Sequence, residues 1–449
     1  MTVLVLGAGL AGLSAASRLR EAGVDCLVVD ERDGWGGHAS TSDREGFLFD
    51  EGPHVSFTSD PTVIALFDQG ATDVLTLEPR IANYVSGRWV DHPVQSHLHG
   101  LDRETAAECL IGIVEAGSAP DTEMRTYRDW LLASFGQPFT DLFPARYTRK
   151  YWTVEPSELT LDWIENRVHR TSVEDAIRGA LIGGYRRDHH YIQQFRYPAS
   201  GGFQSFARAL VPPEGLLLGR AVVEVDVRAR AVTLDDGKRI FYDELVSTVP
   251  LDRLVAMTVP SSLCPRAVKE AADRLSCTSV LLIDIALDRP DVTPYSWFYV
   301  YDEDIPAARV SAPHLLAHGN APEGKGSLQL EIYYSPAKPL PASPDSLVQA
   351  SLDQLEGMGL IDVSSDVRWA RSRDVGYANV VFDHRRASAL STIREWAAER
   401  EIALAGRYGL WEYLWSDGAV RSGYAAAEEI LALPERRRSL SRGRARGTG

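Results

Sequence analysis

Residues 7 to 12, Gly-Ala-Gly-Leu-Ala-Gly, together with Asp30 are of the types and spacing that can hold a diphosphate and a ribose. Gly7 permits a tight turn, Gly9 lets the main chain approach a pyrophosphate, and Gly12 lets a helix pack closely on a strand. Asp30 can accept hydrogen bonds from ribose hydroxyls. This chemistry needs a strand that runs through the turn into a helix N-terminus, where unpaired N–H groups meet the negative charge. The flanking sequence supplies both elements. Val3 to Leu6 predicts a strand, the Ala-rich stretch Leu10 to Ala22 a helix, and Cys26 to Val29 a second strand that ends at Asp30. A bare G-x-G-x-x-G is often only a flexible loop; with both strands, the helix and the acid in order, it predicts dinucleotide binding.

A second glycine pair, Gly36-Gly37, follows with His38-Ala-Ser-Thr41, and then Gly46-Phe-Leu-Phe-Asp-Glu-Gly52-Pro-His54. Glycines just beyond the ribose acid let the chain pass close to a cofactor that extends past its diphosphate. The pattern resembles the FAD-binding families that include amine oxidases, protoporphyrinogen oxidases and UDP-galactopyranose mutases, which favours FAD over NAD.

At 449 residues the chain can build two intertwined domains and a large core. A net charge of −15 argues against a nucleic-acid partner. Cys26, Cys109, Cys264 and Cys277 show no C-x-x-C spacing and read as buried thiols of a reducing compartment. No metal site is expected, because His97-x-His99 and His189-His190 lack carboxylate or Cys partners at ligand spacing. No signal peptide is read, and no apolar run approaches the roughly 20 residues of a membrane span, so a cytoplasmic location is expected.

The predicted fold is α/β: a Rossmann-like FAD-binding domain of the glutathione-reductase type with an interwoven helical and antiparallel-sheet substrate domain. The cofactor domain is expected from 1–60, 200–265 and 370–434, the substrate domain from 61–199 and 266–369, and a disordered basic tail over 435–449. Expected elements include a helix-rich stretch over 100–185, a helix Phe203 to Leu210, strands Ala221 to Val227, Leu245 to Val249, Ser279 to Leu287, Leu328 to Tyr334 and Ile402 to Ala405, and a helix over 418–432.

Nearly the whole chain resembles the eukaryotic-type UDP-galactopyranose mutases within the FAD-dependent amine oxidase and protoporphyrinogen oxidase superfamily. The matching segments are Gly37-His-Ala-Ser-Thr, Gly52-Pro-His-Val-Ser-Phe, Pro93-Val-Gln95, Tyr151-Trp152 through Arg167, Trp297-Phe-Tyr299 through Arg309, Gly376-Tyr377 and Gly406-Arg-Tyr-Gly-Leu-Trp-Glu-Tyr413. The resemblance implies that a reduced flavin N5 attacks the anomeric carbon of a nucleotide sugar and forms a sugar adduct. Pyranose and furanose then interconvert with no net oxidation. The leaving diphosphate must be held, a task for fixed guanidinium and phenol groups. It assigns catalytic roles to His54, Arg167, Arg309, Tyr377 and Tyr413. Substrate binding falls to His92, Gln95, Trp152, Arg167, Tyr299, Arg309, Tyr377 and Tyr413. Cofactor binding falls to Gly7, Gly9, Gly12, Asp30, Gly36, Gly37, His38, Arg80, Val222, Gly406 and Arg407. The implied partner is a nucleotide-diphosphate sugar; the reductant, NAD(P)H or another external donor, and the oligomeric state stay open.

The sequence also departs from the mutases. Pro53 replaces the second glycine of their Gly-Gly-His loop and stiffens it; Asp-Glu-Gly-Pro-His is closer to amine and protoporphyrinogen oxidases. His92 and Val94 stand where aromatic residues surround the uracil, although Gln95 is kept, Ile192 replaces a polar residue, and Leu316 replaces a diphosphate-side tyrosine. These departures argue against UDP as the nucleotide even where a nucleotide sugar is the substrate. The alternative is an FAD-dependent oxidoreductase of the amine oxidase or protoporphyrinogen oxidase type, which needs an apolar cage in place of an arginine clamp.

Overall fold

Val3–Leu6 forms the middle of a parallel sheet because every one of its side chains is apolar and the strand is covered on both faces. The computed structural model describes residues 2–118, 123–164, 167–184 and 194–446, the side chains of 433–446 excluded. The sheet runs in the order Ile402–Leu404, Glu244–Ser247, Val3–Leu6, Cys26–Val29, Leu216–Leu217, with every neighbouring pair parallel. Helix Leu10–Glu21 lies on one face, and the last helix, Ser416–Arg446, crosses it. The crossing is close: Ser14 Oγ donates to Val420 O at 3.0 Å, and a Cβ on Gly423 would stand 2.1 Å from Ala11 O.

A seven-stranded sheet forms the second half, in the order Val367–Val380, Cys277–Leu287, Gly326–Tyr334, Arg309–Ser311, Trp297–Val300, Ile81–Val85, Arg88–Asp91. Its neighbours are antiparallel except Trp297–Val300 beside Ile81–Val85. Helices Arg103–Ser118, Tyr127–Leu142, Pro144–Tyr151 and Val173–Leu181 complete this half. Thr126 and Asp129 start the second of them with a reciprocal capping box. The α/β fold with a Rossmann-like cofactor sheet and an interwoven helical and antiparallel unit is thus the one expected.

Several details differ from the sequence reading. Phe203–Leu210 is a 3₁₀ helix. Strand Val367–Val380 pairs with Cys277–Leu287 along most of its length, so the chain rejoins the parallel sheet only at Ile402, not near 370. The final helix runs on to Arg446, over part of the stretch, 435–449, expected as a disordered tail. His189-His190 and Ile192 lie outside the described residues. Among the described residues no helix is long and apolar enough to cross a membrane.

Candidate active site

A cavity of about 810 Å³ opens where the C-terminal ends of the parallel strands meet the broad sheet and the helical layer. This is where open α/β sheets bind ligands. The first wall is glycine backbone. A Cβ on Gly7, whose φ is +103°, would fall 2.1 Å from Thr248 Oγ1, and one on Gly12 would fall 1.9 Å from Gly7 O. At Gly9 the nearest protein atom to such a Cβ is Gly37 Cα at 3.7 Å. Gly9 bridges to Gly36, and helix Leu10–Glu21 begins with neither a side-chain cap nor an acid in its first turn, which leaves its N–H groups to an anion. Asp30 receives Ala8 N at 2.6 Å and Arg32 N at 2.8 Å, and its carboxylate lines the cavity with acceptor capacity to spare. These features fit the diphosphate and ribose of FAD.

Next to this wall, Glu51 binds Arg32 Nη1 at 2.7 Å and His38 Nδ1 at 2.9 Å. Burial alone would raise the Glu51 carboxyl, but His38 and Arg32 hold it at about 2. Asp50, one residue earlier, is buried among Thr41, Tyr197 and the Phe203 N–H, and burial pushes it up to about 6. The pair anchors the loop that carries His54. There the ring Nδ1 meets Gly52 O at 3.1 Å, and burial pushes the pKa down to about 4, so the ring is neutral and donates through Nδ1.

The far wall is a set of guanidiniums and phenols. Arg167 Nη2 donates to Tyr413 O at 2.7 Å, and its guanidinium carbon lies 4.3 Å from the ring centres of both Tyr413 and Trp415. Arg407 gives Nε and Nη2 to Leu414 O and Nη1 to Ala378 O. Arg309 lies against Glu331 on the neighbouring strand, Nε to Oε2 at 2.6 Å and Nη2 to Oε1 at 2.8 Å. Burial would lower this guanidinium; Glu331 outweighs it and holds Arg309 well above its usual range. Tyr413 and Tyr151 join hydroxyls at 2.9 Å, and Tyr151 donates to Asn379 Oδ1. Burial raises Tyr147, Tyr151 and Tyr333 well above the usual phenol range, so all three stay protonated donors. Tyr377 holds a positive φ of 59° and donates to Asp252 Oδ2 at 3.0 Å. Trp163 and Asn379 also line the cavity, and Trp163 Nε1 and Asn379 Nδ2 are buried and without a hydrogen-bond partner among the described residues.

Of the residues read from the sequence, Gly7, Gly9, Asp30, Gly36, Gly37, His38, His54, His92, Gln95, Trp152, Arg167, Val222, Tyr299, Arg309, Tyr377, Gly406, Arg407 and Tyr413 all line this one cavity. Gly12 sits just behind it, packed on Gly7 O. Arg80 is not on the wall; its main chain is tied to Ser296 at the start of a strand. Leu316 is buried in the apolar core and also stays off the wall. Gln95 donates Nε2 to His169 O. Residues the sequence reading missed include Glu331, Tyr333 and Asn379. Glu331 and Tyr333 stand two apart on a strand with Gln329, so the alternation of Leu328 to Tyr334 already put these polar groups on one face.

Fold and site together define an FAD-type flavoprotein. Residues 10–431 match the family described as Flavin containing amine oxidoreductase, and the chain belongs to that family. It is 28% identical over 181 residues to a Klebsiella pneumoniae protein named "Probable UDP-galactopyranose mutase", covering 38% of this chain and 46% of that one. It is 33% identical over 299 residues to the chloroplastic protoporphyrinogen oxidase of Nicotiana tabacum, covering 61% of this chain and 54% of that one. The chain thus spans about half the length of these curated relatives. A crystal structure of reduced UDP-galactopyranose mutase superimposes with a TM-score of 0.90 at 26% identity over 96% of both chains. Putrescine oxidase bound to putrescine gives 0.65 at 17% identity over 96% of this chain and 99% of that one, a likeness of fold alone. The resemblance to mutase-like members of the family therefore stands.

Proposed function

We propose that the protein is a flavin-dependent nucleotide-sugar mutase that interconverts pyranose and furanose forms with no net redox change. The observation that carries this reading is the wall of Arg167, Arg309, Arg407, Tyr151, Tyr299 and Tyr413 in the same cavity as the cofactor residues. A substrate without a polyanion would leave such a wall unused. Gly7, Gly9, Asp30, Gly36, Gly37 and His38 would hold FAD, and once bound and reduced it supplies a nucleophilic nitrogen for the anomeric carbon. The chain's own residues do the rest. Arg167, anchored on the Tyr413 carbonyl, would keep its plane fixed for a leaving diphosphate, and Arg407, anchored on the Leu414 and Ala378 carbonyls, would keep its plane fixed toward the cofactor. The phenols would donate to the diphosphate oxygens, Trp152 would face the sugar, and neutral His54 would bring no charge to the cofactor pocket. In this reading FAD acts in its reduced form, and residues of the parallel sheet form the cofactor unit.

A second reading, an amine oxidase or protoporphyrinogen oxidase type of oxidoreductase, is favoured by one feature. Phe135, Phe139, Phe143 and Trp163 make a deep part of the cavity apolar. The deciding experiment supplies UDP-galactopyranose and other nucleotide sugars to dithionite-reduced protein and follows furanose formation together with oxygen uptake. Isomerisation without stoichiometric reductant supports the mutase; turnover only with oxygen uptake rejects it.

A further inference from the structure

The cross-strand pair Arg309 and Glu331 faces the cavity in an unusual state for an arginine meant to grip phosphate. Glu331 is buried and Arg309 half-buried, with side chains 3% and 19% exposed. The carboxylate takes the Nε–Nη2 fork, the same planar edge that binds phosphate with two parallel hydrogen bonds. A guanidinium has five N–H groups, and those that remain lie at Nη1 and the outer side of Nη2. Around them stand Tyr147, Tyr151, Tyr299 and Tyr333, whose phenols carry no charge that would replace the one cancelled by Glu331. Glu331 is also in contact with the His54 loop: a Cβ on Gly52 would fall 2.8 Å from Oε1, so only glycine, at φ +84°, lets the loop pass. Arg407, by contrast, donates to the carbonyl oxygens of Leu414 and Ala378, lies over the Tyr413 ring and pairs with no carboxylate among the described residues.

On the nucleotide-sugar reading above, we propose that Glu331 is a positioning residue that weakens the hold of Arg309 on the diphosphate. It occupies the arginine's fork and neutralises its charge, so that Arg309 guides the leaving group by its Nη1 edge and lets it return to the sugar. The argument concerns a balance of forces. Holding a diphosphate against a bare buried guanidinium gains strongly in a low dielectric, and a group that must leave and come back in each turnover gains nothing from being held that tightly.

The sign of one measurement tests this. Glu331→Gln keeps the side-chain volume and one acceptor for Arg309 but removes the carboxylate charge. The flavin-loaded variant and wild type are titrated calorimetrically with UDP, GDP and dTDP, and turnover is measured on UDP-galactopyranose. The expected result is diphosphate binding tighter by about tenfold, the size expected for one partly screened buried charge, with a fall in kcat. A Glu331 that merely supports the fold gives the opposite sign, weaker binding, and that result, or unchanged binding with full flavin content, overturns the proposal. If Glu331→Gln does not retain flavin, Glu331→Asp, which shortens the reach to the fork, is expected to tighten binding by a smaller factor. Loss of flavin in both variants makes Glu331 structural and ends the proposal. A wild type that holds flavin and binds none of the three nucleotides overturns the nucleotide-sugar reading itself, and this proposal with it.

Discussion

Gly9→Ala separates the fold of this protein from its capacity for a cofactor. Gly9 has φ −78° and ψ 179°, backbone that alanine adopts without strain. The added Cβ meets nothing of the protein nearer than Gly37 Cα at 3.7 Å. The flavin-free variant should therefore match the wild type within about 0.5 kcal/mol, or gain slightly because alanine restricts the unfolded chain. Flavin should be lost, because the methyl group stands where a pyrophosphate must touch main chain: an affinity loss of roughly hundredfold, about 3 kcal/mol. Gly12→Ala makes the contrast. Its Cβ would lie 1.9 Å from Gly7 O, a backbone atom that cannot swing away, and overpacking of this kind costs about 1–3 kcal/mol or more. Thermal unfolding by circular dichroism on flavin-stripped protein, with visible absorbance of the holoprotein for flavin content, measures both. Full flavin occupancy in Gly9→Ala, or a large loss of stability in its stripped form, would refute the account of this turn.

Three further outcomes are expected. Arg167→Ala should weaken nucleoside diphosphate binding roughly ten- to a hundredfold, and Arg167→Lys should not restore it because lysine lacks the planar fork; titration calorimetry reads both. Burial holds His54 at about 4, below its ordinary 6.5, so the folded state refuses a proton that the unfolded chain accepts. The associated stability is full above about pH 6.5 and is lost as pH falls toward 4, with an upper bound of about 3 kcal/mol; His54→Phe should flatten that part of the stability–pH curve in chemical unfolding. Asp30→Ala should lower FAD occupancy while leaving the protein folded, and a variant as yellow as wild type would count against the ribose role.

The first strand–turn–helix–strand unit was legible because each of its signals is local: an apolar run, glycines at fixed offsets, and an acid at the strand end. Most cofactor and substrate residues were legible for another reason, that their order along the chain matches a known family. What failed was information held in partners distant in sequence. Arg309 read as an open fork, since nothing near it announces that Glu331 lies opposite on another strand. Glu331 itself passed as one polar step in an alternating strand. Arg80 read as a cofactor residue, yet it precedes the strand Ile81–Val85 and its main chain is tied to Ser296; Leu316 read as the replacement of a site tyrosine, yet its side chain lies in the core. The strand Val367–Val380 read in part as cofactor domain because strand patterning does not say which sheet a strand joins.

The parallel sheet is assembled from strands that leave the ribosome far apart in time. Leu4 lies between Leu27 and Leu245, and Leu245 in turn lies beside Ile402. At about 5–20 residues per second, the phosphate-binding turn is made roughly twenty to eighty seconds before the sheet's last strand. Until Glu244–Ser247 emerges, the wholly apolar strand Val3–Leu6 has one unpaired edge, and closing it requires a contact spanning some 240 residues, the kind of long-range pairing that folds slowly. The nascent chain's first strand thus waits for Glu244–Ser247, and that strand in turn waits for Ile402–Leu404, so a chaperone that shields the open edge of the growing sheet would govern the yield of folded protein.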